Sequence, residues 1–129
     1  MSIQISFPGG AQVAAKIDDF EVMTDQPVED GGGGTAPAPY DLFLASIGTC
    51  AGIYVLRFCQ ERNLATEGLV MSLDIERDME SRKLLKVILD IKMPEDFPAK
   101  YHTAVMRAAG LCSVKKALSD PPEFEMTVS

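Results

Sequence analysis

Tryptophan is missing from this 129-residue chain, histidine occurs once (His102), and no arginine precedes Arg57. Positive charge is scarce overall: 12 Lys and Arg stand against 19 Asp and Glu, a formal net charge of −7. Phosphate backbones and anionic membrane surfaces are bound through clustered cations, so this balance excludes nucleic acid and an anionic bilayer as partners. No basic-then-apolar stretch opens the chain, and the longest uncharged run, Leu42 to Leu56, falls short of the ~20 residues a membrane span needs. That run contains Ser46, Gly48, Thr49 and Gly52 and reads as a buried helix of a soluble protein. Only three cysteines are present, Cys50, Cys59 and Cys112. An odd, widely spaced set fits a reducing cytoplasm, where thiols stay free or cycle, and not a disulfide framework.

What the chain does contain is enough for one core. The hydrophobic fraction is 47% and the length suits a single domain, residues 1–129. Period-two alternation runs through Ile3, Ile5 and Phe7, then Val13, Ala15 and Ile17, with turns at Pro8–Gly10 and Asp18–Asp19 before a short strand from Phe20 to Met23. Four glycines, Gly31 to Gly34, follow among prolines and read as a flexible loop. No Gly-Lys-Ser/Thr and no strand–helix context accompany them, so a phosphate cradle is not expected. Helical steps link Phe43, Ile47, Cys50, Tyr54 and Phe58 in a helix from Tyr40 to about Asn63, widened by Leu44, Ala51 and Val55 until most of its circumference is apolar. Gly48 and Gly52 would admit a close neighbour. Alternation returns at Met71–Glu76 and Leu85–Met93, joined by the polar turn Asp78–Arg82 as a hairpin. A helix over Ala99–Ala109 stopping at Gly110, a short helix from about Cys112 to Leu118, and a last strand through Phe124, Met126 and Val128 complete the order βββ-α-ββ-α-α-β. This is α+β and mostly antiparallel.

Three residues invite chemistry. Cys50 sits mid-helix, where a cysteine is either a reactive thiol or a small core residue. Cys59, nine residues further on, lies on the opposite face and ~13 Å along the axis, so the two cannot bridge and Cys59 reads as structural. Cys112 follows the Gly110 break at the start of a helix, where unpaired N–H groups and the nearby Lys115 and Lys116 favour a thiolate. His102 could pair with a cysteine but reads as a solvated side chain. A metal set would need Cys50 and Cys59 together, which their helix forbids, so no metal and no bound cofactor are expected.

The run Pro37–Cys50, PAPYDLFLASIGTC, resembles the helix-opening signature of the OsmC/Ohr family, the osmotically inducible and organic-hydroperoxide-resistance proteins. The run Ala109–Lys116, AGLCSVKK, is similar to that family's second cysteine segment. The resemblance implies an intertwined homodimer with each long helix buried against its partner. It also implies a thiol peroxidase cycle: Cys50 attacks a small organic hydroperoxide and becomes a sulfenic acid, Cys112 condenses with it to a disulfide, and an external dithiol restores both. The same resemblance implies an arginine from the N-terminal strands and a glutamate ten residues before the nucleophile. Here Lys16 is the only cation before Arg57, Tyr40 stands at the glutamate position with Asp41 next to it, and Arg57 lies ~10 Å along the helix from Cys50. A Cys50 without that cation is expected to ionise less readily. The rival expectations are a non-enzymatic protein of the same fold that binds a small apolar ligand or thiol, and a dimeric scaffold with inert cysteines.

Overall fold

The computed structural model describes all 129 residues, which form two compact units, 1–44 and 45–129. In the first unit, β1 (Ile3–Gly9), β2 (Gln12–Ile17) and β3 (Phe20–Thr24) make the expected antiparallel meander. Its register places Ile3, Ile17 and Phe20 in one row and Ile5, Ala15 and Val22 in the next, so one face carries the apolar set. In this single chain Ile5 is 56% and Phe20 74% exposed on that face.

The glycine run is ordered, contrary to the flexible loop expected from its composition. Asp25 is buried and gathers the segment around its carboxylate. It accepts hydrogen bonds from the backbone N–H groups of Gln26 (2.8 Å), Thr35 (3.0 Å) and Gly33 (3.4 Å), and from the Thr35 hydroxyl (2.6 Å). These donors, the Thr35 hydroxyl foremost, hold the Asp25 carboxyl down at about 2. A turn of 3₁₀ helix at Val28–Asp30 tightens the loop, and the Gly32 and Gly34 N–H groups close on the Pro27 and Gln26 carbonyls at 3.0 Å each. A methyl group on Gly32 would overlap the Gln26 carbonyl, so glycine there serves close backbone packing, not mobility.

Helix α1 (Pro39–Glu61) follows, ending where Asn63 takes the left-handed conformation (φ 53°) and the Leu64 N–H closes on the Cys59 carbonyl at 2.9 Å. By length and composition it could cross a bilayer, yet in the second unit it supplies the core. Its buried stripe is Ile47, Ala51, Val55, Phe58 and Cys59, rotated from the stripe expected through Phe43, Cys50 and Tyr54. Gly48 and Gly52 face the side chains of Leu73 and Met71, with a Cβ-to-atom spacing of 3.7 and 3.8 Å. The neighbour admitted there is a sheet's side chains and no bare backbone.

That sheet is the antiparallel pair β4 (Val70–Arg77) and β5 (Leu84–Lys92). Met71, Leu73 and Ile75 pair with Ile91, Leu89 and Val87 on the half-buried face, and Asp74, Glu76, Lys86 and Asp90 point to solvent. Leu85 departs from its expected place in the apolar row. The register slips between Glu76 and Arg77, so Leu85 has no cross-strand partner and is 59% exposed. Helix α2 (His102–Ala109), entered through a 3₁₀ turn at Ala99–Tyr101, buries Val105 and Ala109 against α1. Gly110 is not a left-handed stop: its φ is −71°. The chain breaks instead at Cys112, whose extended backbone (φ −51°, ψ 122°) opens α3 (Ser113–Ser119).

The mixed, antiparallel α+β architecture and the order βββ-α-ββ-α-α are as expected. The final strand is not formed: residues 121–129 are neither helix nor strand, and Phe124 and Met126 are 85% and 92% exposed. Alternation alone makes no strand, because the ladder hydrogen bonds need a second edge, and no edge of this chain pairs with the segment.

Candidate active site

The core stripe of α1 decides what its cysteines can do. Cys59 lies within it at 0% exposure, packed with Val55, Phe58 and Val105, and burial pushes its thiol up, opposed only in part by the Arg62 charge. A protonated, enclosed thiol is a core residue, as its spacing implied. Cys50 lies off the stripe, half-buried at the edge of the cluster.

The chain break at Gly110–Cys112 brings α3 to this edge. Cys112 is the N-cap of α3, its sulfur accepting the Lys115 N–H at 3.4 Å. The same thiol reaches the Ile47 carbonyl, one turn before Cys50 on α1, at 3.9 Å and is 1% exposed. The next residue, Ser113, sets its hydroxyl oxygen 3.6 Å from the Cys50 sulfur. Two thiols 62 positions apart in sequence thereby lie on adjoining elements, Cys50 on α1 and Cys112 at the start of α3, and both are free.

The consequence falls on Cys50. Its thiol is lowered from an ordinary 9.0 to about 7. The backbone N–H of Val114 is the largest cause, followed by the Cys112 thiol and the Ser113 hydroxyl, with a further contribution from the Ser113 N–H and burial acting in the opposite direction. Every donor in this set is uncharged. The sequence pointed to the start of α3 as an electropositive place and assigned its benefit to Cys112. The structure has the Ser113 and Val114 N–H groups lower Cys50, which the lack of an N-terminal arginine was expected to leave high, while the Lys115 N–H meets the Cys112 sulfur. Ser113 was missed: its only sequence signal is a hydroxyl next to Cys112.

His102 is not engaged with a thiol but stacks on Phe97, ring centroids 5.9 Å apart and planes within 9°. It borders a cavity of about 510 Å³ between β5 and α2 that is lined by Ile91, Met93, Phe97 and Met106. A neighbouring cavity of about 330 Å³ shares Ile91 and Met106 and extends to Ile47, Lys115 and Leu118. No group of three or more His, Cys, Asp or Glu side chains converges as a metal site would require.

The sequence model of the OsmC-like proteins matches residues 31–127, and the chain belongs to this family. Among curated proteins, none matches the sequence. Solved structures share the fold. A Psychrobacter arcticus protein named for an osmotic stress induced and detoxification response superposes with a TM-score of 0.77 at 20% identity, over 91% of this chain and 87% of that one. An organic hydroperoxide resistance protein OsmC of Legionella pneumophila gives 0.61 at 20% identity, over 92% and 89%. The organic hydroperoxide resistance protein OhrB of Bacillus subtilis gives 0.57 at 19% identity, over 94% and 93%.

Proposed function

We propose that this protein is a cytoplasmic, homodimeric thiol peroxidase that reduces small organic hydroperoxides through Cys50 and Cys112. The observation that carries the reading is a Cys50 thiol lowered to about 7, with the Ser113 hydroxyl 3.6 Å away and a second, shielded thiol at the adjacent residue, Cys112. In the first step the Cys50 thiolate attacks the peroxide, an S–O bond forms as the O–O bond breaks, and the alkoxide leaves and takes a proton from water. The Cys50 sulfenic acid then condenses with the Cys112 thiol, forming the disulfide and releasing water. An external dithiol reduces the disulfide by exchange and is itself oxidised. Names given to the Legionella and Bacillus relatives support hydroperoxides as the substrate class. The exposed apolar face of β1–β3 and the exposed Phe124 and Met126 support a second copy as the missing cover. The decisive experiment adds one equivalent of cumene hydroperoxide and counts free thiols at each cysteine. Loss of two thiols, Cys50 and Cys112, with Cys59 untouched is expected; if both stay reduced, the reading fails.

A second reading, a non-enzymatic protein for a small apolar ligand, is favoured by the two apolar cavities between β5 and α2–α3. It predicts that Cys50→Ser retains an apolar fluorescent probe and that the thiols survive the peroxide.

A further inference from the structure

Thiolates are ordinarily favoured by a lysine, arginine or protonated histidine close by, or by a helix N-terminus. No such charge lowers Cys50; the groups that do are hydrogen-bond donors from Cys112, Ser113 and Val114. Three of these four groups are fixed by the fold. The Val114 and Ser113 N–H groups belong to the backbone of α3, and the Cys112 sulfur is held as the cap of that helix by the Lys115 N–H and lies against the Ile47 carbonyl. The Ser113 hydroxyl is the one donor that is free to rotate, is not needed to hold α3, and approaches the Cys50 sulfur from the open side, since Ser113 is exposed and Cys112 is not.

We propose that Ser113 is the positioning residue of the reacting thiol: its hydroxyl, 3.6 Å from the Cys50 sulfur, holds the thiolate by a neutral hydrogen bond where a cation is otherwise needed. The inference rests on Cys50 being the reacting thiol of the proposed cycle. Its physical signature differs from that of an ion pair in two ways. A hydrogen bond over this distance is nearly indifferent to salt, whereas an exposed charge is screened as the Debye length falls from about 10 Å at 0.1 M to about 3 Å at 1 M. It also depends on a hydroxyl, so threonine can replace serine and alanine cannot.

The test measures the rate of iodoacetamide labelling at Cys50 as a function of pH, by mass spectrometry of the Cys50 peptide, in the whole protein. Wild type, Ser113→Ala and Ser113→Thr are compared at 0.1 and 1 M KCl, with thermal unfolding as the check that all three fold. In Ser113→Ala the inflection should move up by half a unit or more, so that thiolate at pH 6 falls about threefold and labelling slows about twofold, the less acidic thiolate being the better nucleophile. Ser113→Thr should return the wild-type inflection, and the wild-type inflection should hold its place in 1 M KCl. Superimposable wild-type and Ser113→Ala profiles would overturn the proposal, as would equal shifts in the alanine and threonine variants, which would mark a packing role. An upward shift of half a unit or more in wild type at high salt would overturn it too, by revealing a charge. Peroxide plays no part in the measurement. A protein that ignores hydroperoxides but shows the Ser113 shift loses the proposed function and keeps this inference.

Discussion

The lowered Cys50 thiol has a kinetic consequence whose size can be worked out before any peroxide is added. An unperturbed cysteine here would titrate at 9.0 and Cys50 titrates at about 7. At pH 6, where both are mostly protonated, Cys50 therefore holds about a hundredfold more thiolate than the unperturbed thiol. A more acidic thiolate is also a weaker nucleophile, and with a Brønsted slope of about 0.4–0.5 the two-unit difference takes back roughly tenfold. Labelling of Cys50 at pH 6 should thus run about tenfold faster than that of the same cysteine in the urea-unfolded chain. Above pH 9, where both are ionised, the order reverses and the folded protein should be slower by about the same factor. Partial burial of Cys50 lowers the folded rate at every pH alike and moves the crossover, so the pH of the inflection, not either absolute rate, is the diagnostic.

Cys112→Ala sharpens this test. The substitution removes one side-chain donor but leaves the Val114 N–H, the largest cause of the lowering. The inflection should rise and yet stay below that of the unfolded chain. A folded-state inflection at or above the unfolded one in wild type would refute the reasoning. A return all the way to the unfolded value in Cys112→Ala would show that the backbone of α3 contributes nothing.

Three further outcomes concern the frame that holds this site. Gly32→Ala should cost about 2 kcal/mol in urea titration, because the methyl group displaces the Gln26 carbonyl, which accepts the Gly34 N–H at 3.0 Å, and pushes residue 32 off the Pro27 carbonyl, which accepts its own N–H at 3.0 Å, each bond worth about 1 kcal/mol; wild-type stability in this variant would reinstate a loose loop. Gly48→Ala in α1 should be neutral or stabilising by up to about 1 kcal/mol, since its Cβ would sit 3.7 Å from Leu73 and alanine favours the helix, and a loss above 1 kcal/mol would contradict it. Asp25 titrates at about 2 in the fold against a usual 3.8, so its ionised form contributes stability above about pH 4 that is lost as pH falls through 2. The stability gap between wild type and Asp25→Asn should be level at neutral pH and close between about pH 4 and 2, and a gap that persists unchanged through pH 2 would sink the assignment.

How far the sequence carried each of these features depends on the range of the interactions behind them. The meander, the α1 periodicity and the break before α3 are local, set by alternation, by three- and four-residue steps, and by Cys112 leaving the helical conformation. The rotation of the α1 stripe toward Ala51, Val55 and Cys59 was not legible, because a helix apolar on most sides does not say which side the β4–β5 sheet will take. Composition misjudged the glycine run for a similar reason. Its order comes from Asp25 and Thr35, ten residues apart and on either side of the glycines, and nothing in four glycines reports the carboxylate they wrap. Leu85 kept the alternation on paper and lost it to a one-residue slip in the ladder. The strand expected through Phe124 and Val128 has the right pattern and no edge to pair with in one chain.

The two cysteines show the same limit at the site and explain why the arrangement suits the proposed cycle. Sequence placed Cys112 at a helix start and inferred that the helix would activate it. The Lys115 N–H does go to the Cys112 sulfur, which caps α3, but the N–H groups of Ser113 and Val114 act on the neighbouring Cys50, which the sequence did not foresee. One thiol is thus made acidic and half-open, the other capped and closed off at 1% exposure. In the proposed cycle a peroxide would meet Cys50 first, because Cys112 is only 1% exposed. The sulfenic acid of that cycle would form next to the residue that carries the second thiol, Ser113 lying 3.6 Å from the Cys50 sulfur, so condensation would be an encounter within the site, and a second peroxide would have to arrive from solution to compete. The division between an attacking and a resolving thiol in the proposed cycle follows from which sulfur caps α3.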